Sequence, residues 1–297
     1  MKKRIFVRKA YVSDREVVFR FCEKTWSWGD YVPKVWDRWL KEKNGGVFVA
    51  TINGVPVGIS HLNVDKLGEV WLSAARTDPK YRRMGVATAI TRKCLEYAKK
   101  KGAKVARLVT ESNNKAAQAV LKKLEFRQIA EFVEMVTEDV KDERSKNSRW
   151  AEKDETEEIW NYFQNSKTYC SAAGLYTVLF HWFSLHKDAL KRFIEEQKVI
   201  VHENEKGELN GLTLIEDATA RQWHEDTIQT CYVDGDNNAV LDMIRFLKSH
   251  CYDLGIKKIY GFTPNHKSIT TALEKLGFEP PDSVDIIYEK KLSLVYR

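Results

Sequence analysis

Arg82-Arg83-Met84-Gly85-Val86-Ala87 decides how this chain is read. An apolar run ending near Ala75 precedes it, Pro79 turns the chain, and Ala89, Ile90, Cys94, Leu95 and Ala98 follow at helical spacing. The first N–H groups of a helix have no partner inside it, so a strand, a turn, two arginines, a glycine and a helix start together form a nest for an anion. Arg82 and Arg83 add charge-assisted bonds. Gly85 lets the backbone approach without a side chain in the way. Pyrophosphate is the anion expected there.

Working outward, Ile5 to Val7 reads as a first strand, and Asp14 as the N-cap of a helix carrying Val17, Val18, Phe21 and Cys22. Val35, Trp36, Trp39 and Leu40 mark a second short helix. Strands are expected over Gly46 to Thr51 and Val57 to Leu62, joined by an Asn53-Gly54 hairpin turn, and again over Glu69 to Ala75. A helix from about Val86 to Lys100 ends in Lys99-Lys100-Lys101, a solvated run that complements the helix dipole, with Gly102 as C-cap. Strand Lys104 to Thr110, a helix through Ala116, Ala117, Val120, Leu121 and Leu124, and strand Glu131 to Thr137 follow. The order is α+β, built on a mixed sheet flanked by helices.

The closing segment Asn114-x-x-Ala117-x-x-Val120-Leu121-Lys122-Lys123-Leu124-Glu125-Phe126 adds a second motif at a fixed distance from the first. Together with Arg82-x-x-Gly85-x-Ala87 it resembles the GCN5-related N-acetyltransferases, the GNAT superfamily, over most of residues 1 to 140. The resemblance implies an acyl-CoA N-acyltransferase fold in which acetyl-CoA wedges between two splayed central strands. It implies an enzyme that transfers acetyl to a primary amine of a protein, peptide or small molecule by direct attack, releasing CoA. Two positions depart from the family pattern. Leu121 stands where a thiolate-protonating Tyr is usual, leaving water, Tyr31 or Tyr97 as substitutes, and Glu125 replaces the usual Gly before Phe126.

With 297 residues, 43% hydrophobic and 31% charged, the chain suits two ordinary globular domains. Val140 to Lys153 is rich in charged and small polar residues and reads as the linker or a surface crossover, giving domains at 1–140 and 141–297. The second half repeats the first weakly. Asp154 to Tyr162 and a helix-like stretch from Leu175 to Phe193 stand for the first two helices, and Lys198-Val199-Ile200-Val201 echoes Gly46-Val47-Phe48-Val49. Leu254-Gly255, Asn265-His266 and Ala272-Leu273-Glu274-Lys275-Leu276-Gly277-Phe278 track the closing segment. Gly235-Asp236-Asn237-Asn238-Ala239-Val240 occupies the loop position, where acidic side chains repel pyrophosphate and no arginine appears. The second half is therefore expected to keep the fold without the cofactor. It would stabilise the first domain, shape the acceptor groove, bind a partner or form a homodimer.

No apolar run approaches the length of a signal-peptide core or a membrane span, so a cytoplasmic protein is expected. Five cysteines without a Cys-x-x-Cys pair, and seven histidines without a His-Glu-x-x-His array, argue for reduced thiols and against a metal. The net charge of +7 is spread over dispersed lysines without a nucleic-acid-binding motif, so nucleic acid is not an expected partner.

The resemblance assigns cofactor contacts to the main chain of Ala75, Arg76 and Thr77 on the strand before the loop, to Arg82, Arg83, Met84, Gly85, Val86 and Ala87 in it, and to Asn114. For general base, Glu69 is the candidate, since alternation places it on one strand face with Trp71, Ser73, Ala75 and Thr77. Trp28, Asp30 and Tyr31, beside Gly29, break the helical spacing of the tryptophans around them and are the acceptor-binding candidates. Cys94 lies inside a helix and reads as core. The alternative function is a non-catalytic CoA-binding or regulatory protein.

Overall fold

The computed structural model describes residues 4–27, 29–218, 226–279 and 283–292. The chain divides into two compact units, Met1–Thr110 with Asn114–Gln128 and Tyr288–Arg297, and Glu111–Asn113 with Ile129–Ile287. Most of the strand at 127–137 belongs to the second unit, and the end of the chain returns to the first.

The first unit contains β1 (Ile5–Lys9), α1 (Arg15–Cys22), α2 (Val32–Leu40), β2 (Gly45–Ile52), β3 (Val55–Val64), β4 (Glu69–Thr77), α3 (Val86–Lys100), most of β5 (Val105–Glu111) and α4 (Lys115–Lys123). β1 to β4 pair antiparallel in chain order. The β2–β3 turn is set by two left-handed residues, Asn53 at φ 52° and Gly54 at φ 82°, the backbone a tight hairpin demands. β4 and β5 are parallel and pair only from Glu69↔Val105 to Trp71↔Arg107, so their C-terminal halves diverge.

Two apolar clusters of the first unit lie among the described residues. Val86, Ile90, Cys94, Leu95 and Ala98 of α3 pack with Phe48, Ala50, Val57, Leu62, Val70 and Leu72. Val18, Cys22, Val35, Trp36 and Trp39 of α1 and α2 pack with Val47, Val49, Ile59 and Ala74. Gly58 sets how close α3 can come to the sheet: a Cβ there would stand 2.7 Å from Val86 Cγ1 and 2.9 Å from Arg76 O.

The second unit contains most of β6 (Arg127–Thr137), β7 (Ser148–Trp150), α5 (Thr156–Asn165), α6 (Lys167–Ser171), β8 (Leu175–Val178), β9 (His181–Ser184), α7 (Lys187–Glu195), β10 (Val199–Glu203), β11 (Leu209–Asp217), β12 (Thr227–Gly235), α8 (Asn237–Asp253), β13 (Lys258–Pro264) and α9 (Lys267–Lys275). β14 (Asp285–Lys291) begins in it and ends in the first unit. Its sheet repeats the plan. β10, β11 and β12 are antiparallel, and β12 and β13 are parallel only from Thr227↔Lys258 to Thr230↔Gly261. Gly211 takes the place of Gly58, since a Cβ there would stand 2.8 Å from Ala239 Cβ and 3.0 Å from Met243 Cε.

Two expectations from the sequence are corrected here. The helix-like stretch from Leu175 is a β8–β9 hairpin followed by the short helix α7. Its consecutive aromatic and β-branched side chains suit a strand pair packed on a sheet. The expected linker also holds β7, which pairs with β10 through Ile200↔Trp150. No helix among the described residues is long and apolar enough to cross a membrane.

Candidate functional site

Between β4 and α3 the chain runs from Asp78 to Gly85. Asp78 Oδ1 accepts from Lys80 N at 2.9 Å and Asp78 O from Tyr81 N at 2.8 Å, closing the Pro79 turn. Arg83 (φ 62°) and Gly85 (φ 87°) are both left-handed. The intervening backbone turns back on itself and enters α3 with Gly85 as N-cap. The N–H groups of Arg83 through Thr88 donate to no protein acceptor among the described residues, and Arg82, Arg83, Met84 and Gly85 are exposed. Six unsatisfied donors at the positive end of a 15-residue helix, with two guanidinium groups beside them, form a strongly anion-seeking surface.

Upstream of that loop, β4 carries an irregularity. Ile59 pairs with Arg76 and His61 with Ser73, so Ala74 and Ala75 together oppose Ser60. Ala74 takes φ 51° to make this bulge. From Leu72 onward β4 has no strand partner on its β5 side among the described residues. The main chain of Ala75, Arg76 and Thr77 therefore borders the opening where the strands part and leads to the loop.

The bulge also corrects the parity that favoured Glu69. Alternation holds from Glu69 through Trp71 to Ser73 and fails at Ala74. Glu69 lies at the paired end of β4, roughly 13 Å along the strand from Ser73. Its carboxylate is held by Arg107 Nη1 at 2.8 Å, and Arg107 Nε also binds Glu289 at 2.8 Å. A carboxylate locked between strands in this way is a brace.

Asp30 is a brace as well. Its side chain is wholly buried, Oδ1 accepts from Val32 N at 3.0 Å, and Oδ2 accepts from Arg76 Nε at 2.8 Å. The Arg76 guanidinium lies 4.4 Å from the Trp26 ring centroid and 5.6 Å from that of Tyr31, so Asp30 and the aromatics pin the loop after α1 to the end of β4. Tyr31 stacks near Trp26 and meets Trp39 edge-on. Burial pushes its phenol up, while Arg76 and an Ala74 main-chain hydrogen bond work the other way. Tyr31 is thus a protonated phenol at the bulge. Trp28 falls outside the described residues.

Asn114 Oδ1 accepts from Ala117 N at 3.1 Å, making it the N-cap of α4. Leu121 is buried in the α3 cluster. Of the two tyrosines considered in its place, Tyr97 lies about 16 Å along α3 from the helix start and holds Lys9, whereas Tyr31 reaches the bulge. Cys94 and Cys22 are pushed up to about 12, chiefly by burial, so neither supplies a thiolate. Glu125 keeps the turn before Phe126 by adopting the left-handed conformation itself, at φ 59°.

One constellation was not foreseen from sequence. His61 and Ser73 face each other across β3 and β4, with His61 Nδ1 3.0 Å from Ser73 Oγ and Nε2 2.8 Å from Glu42 Oε2. His61 is buried and stacks on Trp39, ring centroids 4.0 Å apart at 11°. Ser73 is partly exposed and lies two residues past the last β4–β5 pair. No local sequence signal joins three residues so far apart; the β3–β4 register brings His61 to Ser73, and the chain between α2 and β2 brings Glu42.

The corresponding region of the second unit is closed. Asp236 Oδ1 accepts from Ala239 N at 2.9 Å and caps α8. The β8–β9 hairpin packs over β12 and β13. Gln229 Oε1 accepts from Leu179 N at 2.8 Å, and Phe180 and Trp182 lie 4.7 and 5.0 Å from Phe262, ring centroid to centroid. Among the described residues no group of three or more His, Cys, Asp or Glu side chains could hold a metal.

Residues 15–126 match the model of the Acetyltransferase (GNAT) family. An uncharacterized N-acetyltransferase of Methanocaldococcus jannaschii is 34% identical over 107 residues, 32% of this chain and 47% of that protein, so the chain spans about half the length of this curated relative. A GCN5-related N-acetyltransferase from Sphaerobacter thermophilus superposes with a TM-score of 0.61 at 9% identity, covering 97% of this chain and 96% of the other. A tandem GNAT protein from the clavulanic acid biosynthesis pathway gives 0.55 at 12% identity, with 99% and 100% covered. The chain as a whole has the GNAT superfamily fold in two units.

Proposed function

Starting from the GNAT superfamily fold, we propose that this chain is an acetyl-CoA-dependent N-acetyltransferase acting on a primary amine of a protein, peptide or small molecule. One observation carries the reading: the N–H run from Arg83 to Thr88, without a protein acceptor among the described residues and flanked by Arg82 and Arg83, opens where β4 and β5 diverge. The donor set suits a diphosphate, because it offers several N–H groups and two cations with no carboxylate among them. Acetyl-CoA supplies an activated thioester carbonyl for the amine to attack.

The chain's own residues do the rest. Arg82, Arg83 and the N–H groups through Thr88 hold the diphosphate, and the unpaired edge of Ala75, Arg76 and Thr77 orients the arm. Asp30 fixes the Arg76 guanidinium, which also donates to Ala75 O at 3.2 Å. Tyr31, protonated at the Ala74 bulge, is positioned to hand a proton to a leaving thiolate, a task Leu121 cannot perform. Asn114 caps α4 beside the opening.

Thiol release from acetyl-CoA, followed with spermidine, glucosamine and alanine- or lysine-containing peptides, tests the reading. Amine-dependent release is the expected result. Leu121 in the usual Tyr position favours the second reading, a non-catalytic CoA-binding protein, and acetyl-CoA binding without turnover on any acceptor would establish it.

A further inference from the structure

Resting on the acetyltransferase reading, we infer that Glu42, His61 and Ser73 form a relay that takes the proton from the acceptor amine, with Ser73 Oγ as the group that meets the nitrogen. The carboxylate of Glu42 accepts from His61 Nε2–H, which leaves Nδ1 as the acceptor for the Ser73 hydroxyl. A hydroxyl that donates to a ring nitrogen has its own lone pairs free to accept a proton from outside.

Three features show that the geometry is built. Trp39 stacks on the imidazole and fixes its plane. Ser60 Oγ donates to Ser73 O at 3.2 Å, holding the main chain at the edge of the bulge. Gly45 leaves room for the carboxylate, since a Cβ there would stand 2.8 Å from Glu42 Oε2 and 2.3 Å from Leu62 O. His61 is 5% exposed, while Ser73 alone of the three reaches the region where β4 leaves β5. The carboxylate and the hydroxyl are thus separated by one buried imidazole, the arrangement a proton relay needs.

The step balances. As the amine nitrogen forms its bond to the acetyl carbon and the carbon–sulfur bond breaks, the proton lost by nitrogen passes to Ser73 Oγ while the Ser73 proton moves to His61 Nδ1. The imidazolium is stabilised by Glu42. The thiolate takes a proton from Tyr31, and the imidazolium returns its proton to solvent through Ser73 as Tyr31 regains one. Ser73 is the catalytic residue; His61 and Glu42 are positioning residues.

Two measurements on the full chain test the relay. In long-range 15N–1H NMR of the ligand-free protein, His61 is expected with the proton on Nε2 and none on Nδ1; the opposite tautomer would overturn the relay and leave the acetyltransferase reading intact. In steady-state assays Ser73→Ala is expected to lower kcat by about 10- to 100-fold, with the acetyl-CoA dissociation constant by calorimetry within about twofold of the parent. Ser73→Thr should keep most of kcat, and Glu42→Gln, close in size, should lower kcat without changing acetyl-CoA affinity. Parental kcat in Ser73→Ala would overturn the relay alone. Failure of the parent protein to bind or turn over acetyl-CoA would overturn both.

Discussion

At residues 78–85 the link from β4 to α3 passes through Arg82, Arg83 and Gly85 into a helix start with bare N–H groups. The link from β12 to α8 is the single residue Asp236, whose carboxylate occupies the helix start. Three features around the two links are alike. Each follows a strand that is parallel to its neighbour only at its beginning. Each strand bulges against its antiparallel partner, at Ala74 and Ala75 in one case and at Cys231 in the other. Each helix presses on a glycine, Gly58 or Gly211. In the proposed function, anion binding is therefore a property of the link, while the splayed sheet and the helix are common scaffold. A carboxylate at the cap satisfies a donor that a phosphate would otherwise take, and it repels the phosphate as well.

The largest expected effect comes from copying the second link into the first. Gly85→Asp puts a carboxylate at the N-cap of α3 and should weaken acetyl-CoA binding by about 100-fold or more, a loss of about 2.7 kcal/mol by calorimetry. Binding within about threefold of the parent would break the comparison. Next, Gly58→Ala and Gly211→Ala should each destabilise the protein by about 1–3 kcal/mol in urea unfolding, because a methyl group overfills equivalent contacts between strand and helix. A cost confined to one of the two would show that the scaffold is not shared at that point.

The second unit carries a half-buried carboxylate. Asp285 is pushed up to about 7 by burial and by the neighbouring Glu134 and Glu111. With its folded value above its unfolded one, the folded state holds the proton longer. The stability this contributes is complete below pH ~4 and is lost as pH rises to about 7. Asp285→Asn should therefore raise stability by about 1–2 kcal/mol at pH 8 and flatten the profile between pH 4 and 7, as read by thermal melts. The smallest effect is at the turns after α4 and α9. Glu125 takes by strain (φ 59°) the conformation Gly277 takes freely (φ 78°), so Glu125→Gly should stabilise by up to about 1 kcal/mol in urea unfolding, less the exposed pair with Lys290.

Much of the first unit was legible because its signals are local. Asn53-Gly54 permits one turn, and the apolar spacing of α3 places that helix at its observed bounds, Val86–Lys100. The left-handed Gly85 at the start of α3 could be read from its place between the arginines and the helical spacing. What could not be read depends on distant partners. Parity along β4 pointed from Glu69 toward Ala75, but the bulge at Ala74 is set by pairing with β3, and the Glu69 carboxylate is claimed by Arg107. Leu175 to Ser184 has the apolar density of a helix and becomes a hairpin whose backbone is held by Gln229 from another strand. Asp30 stood out as a ligand because it sits among aromatics, yet what it binds is Arg76, 46 residues away.

Calorimetric titration of the full chain with acetyl-CoA, alongside Arg82→Ala/Arg83→Ala and Asp236→Ala, bears most directly on where the anion site lies. Binding in the micromolar range is expected for the parent, a loss of about tenfold or more for the double arginine variant, and no change for Asp236→Ala. No binding by the parent, or an affinity indifferent to the two arginines, would contradict it.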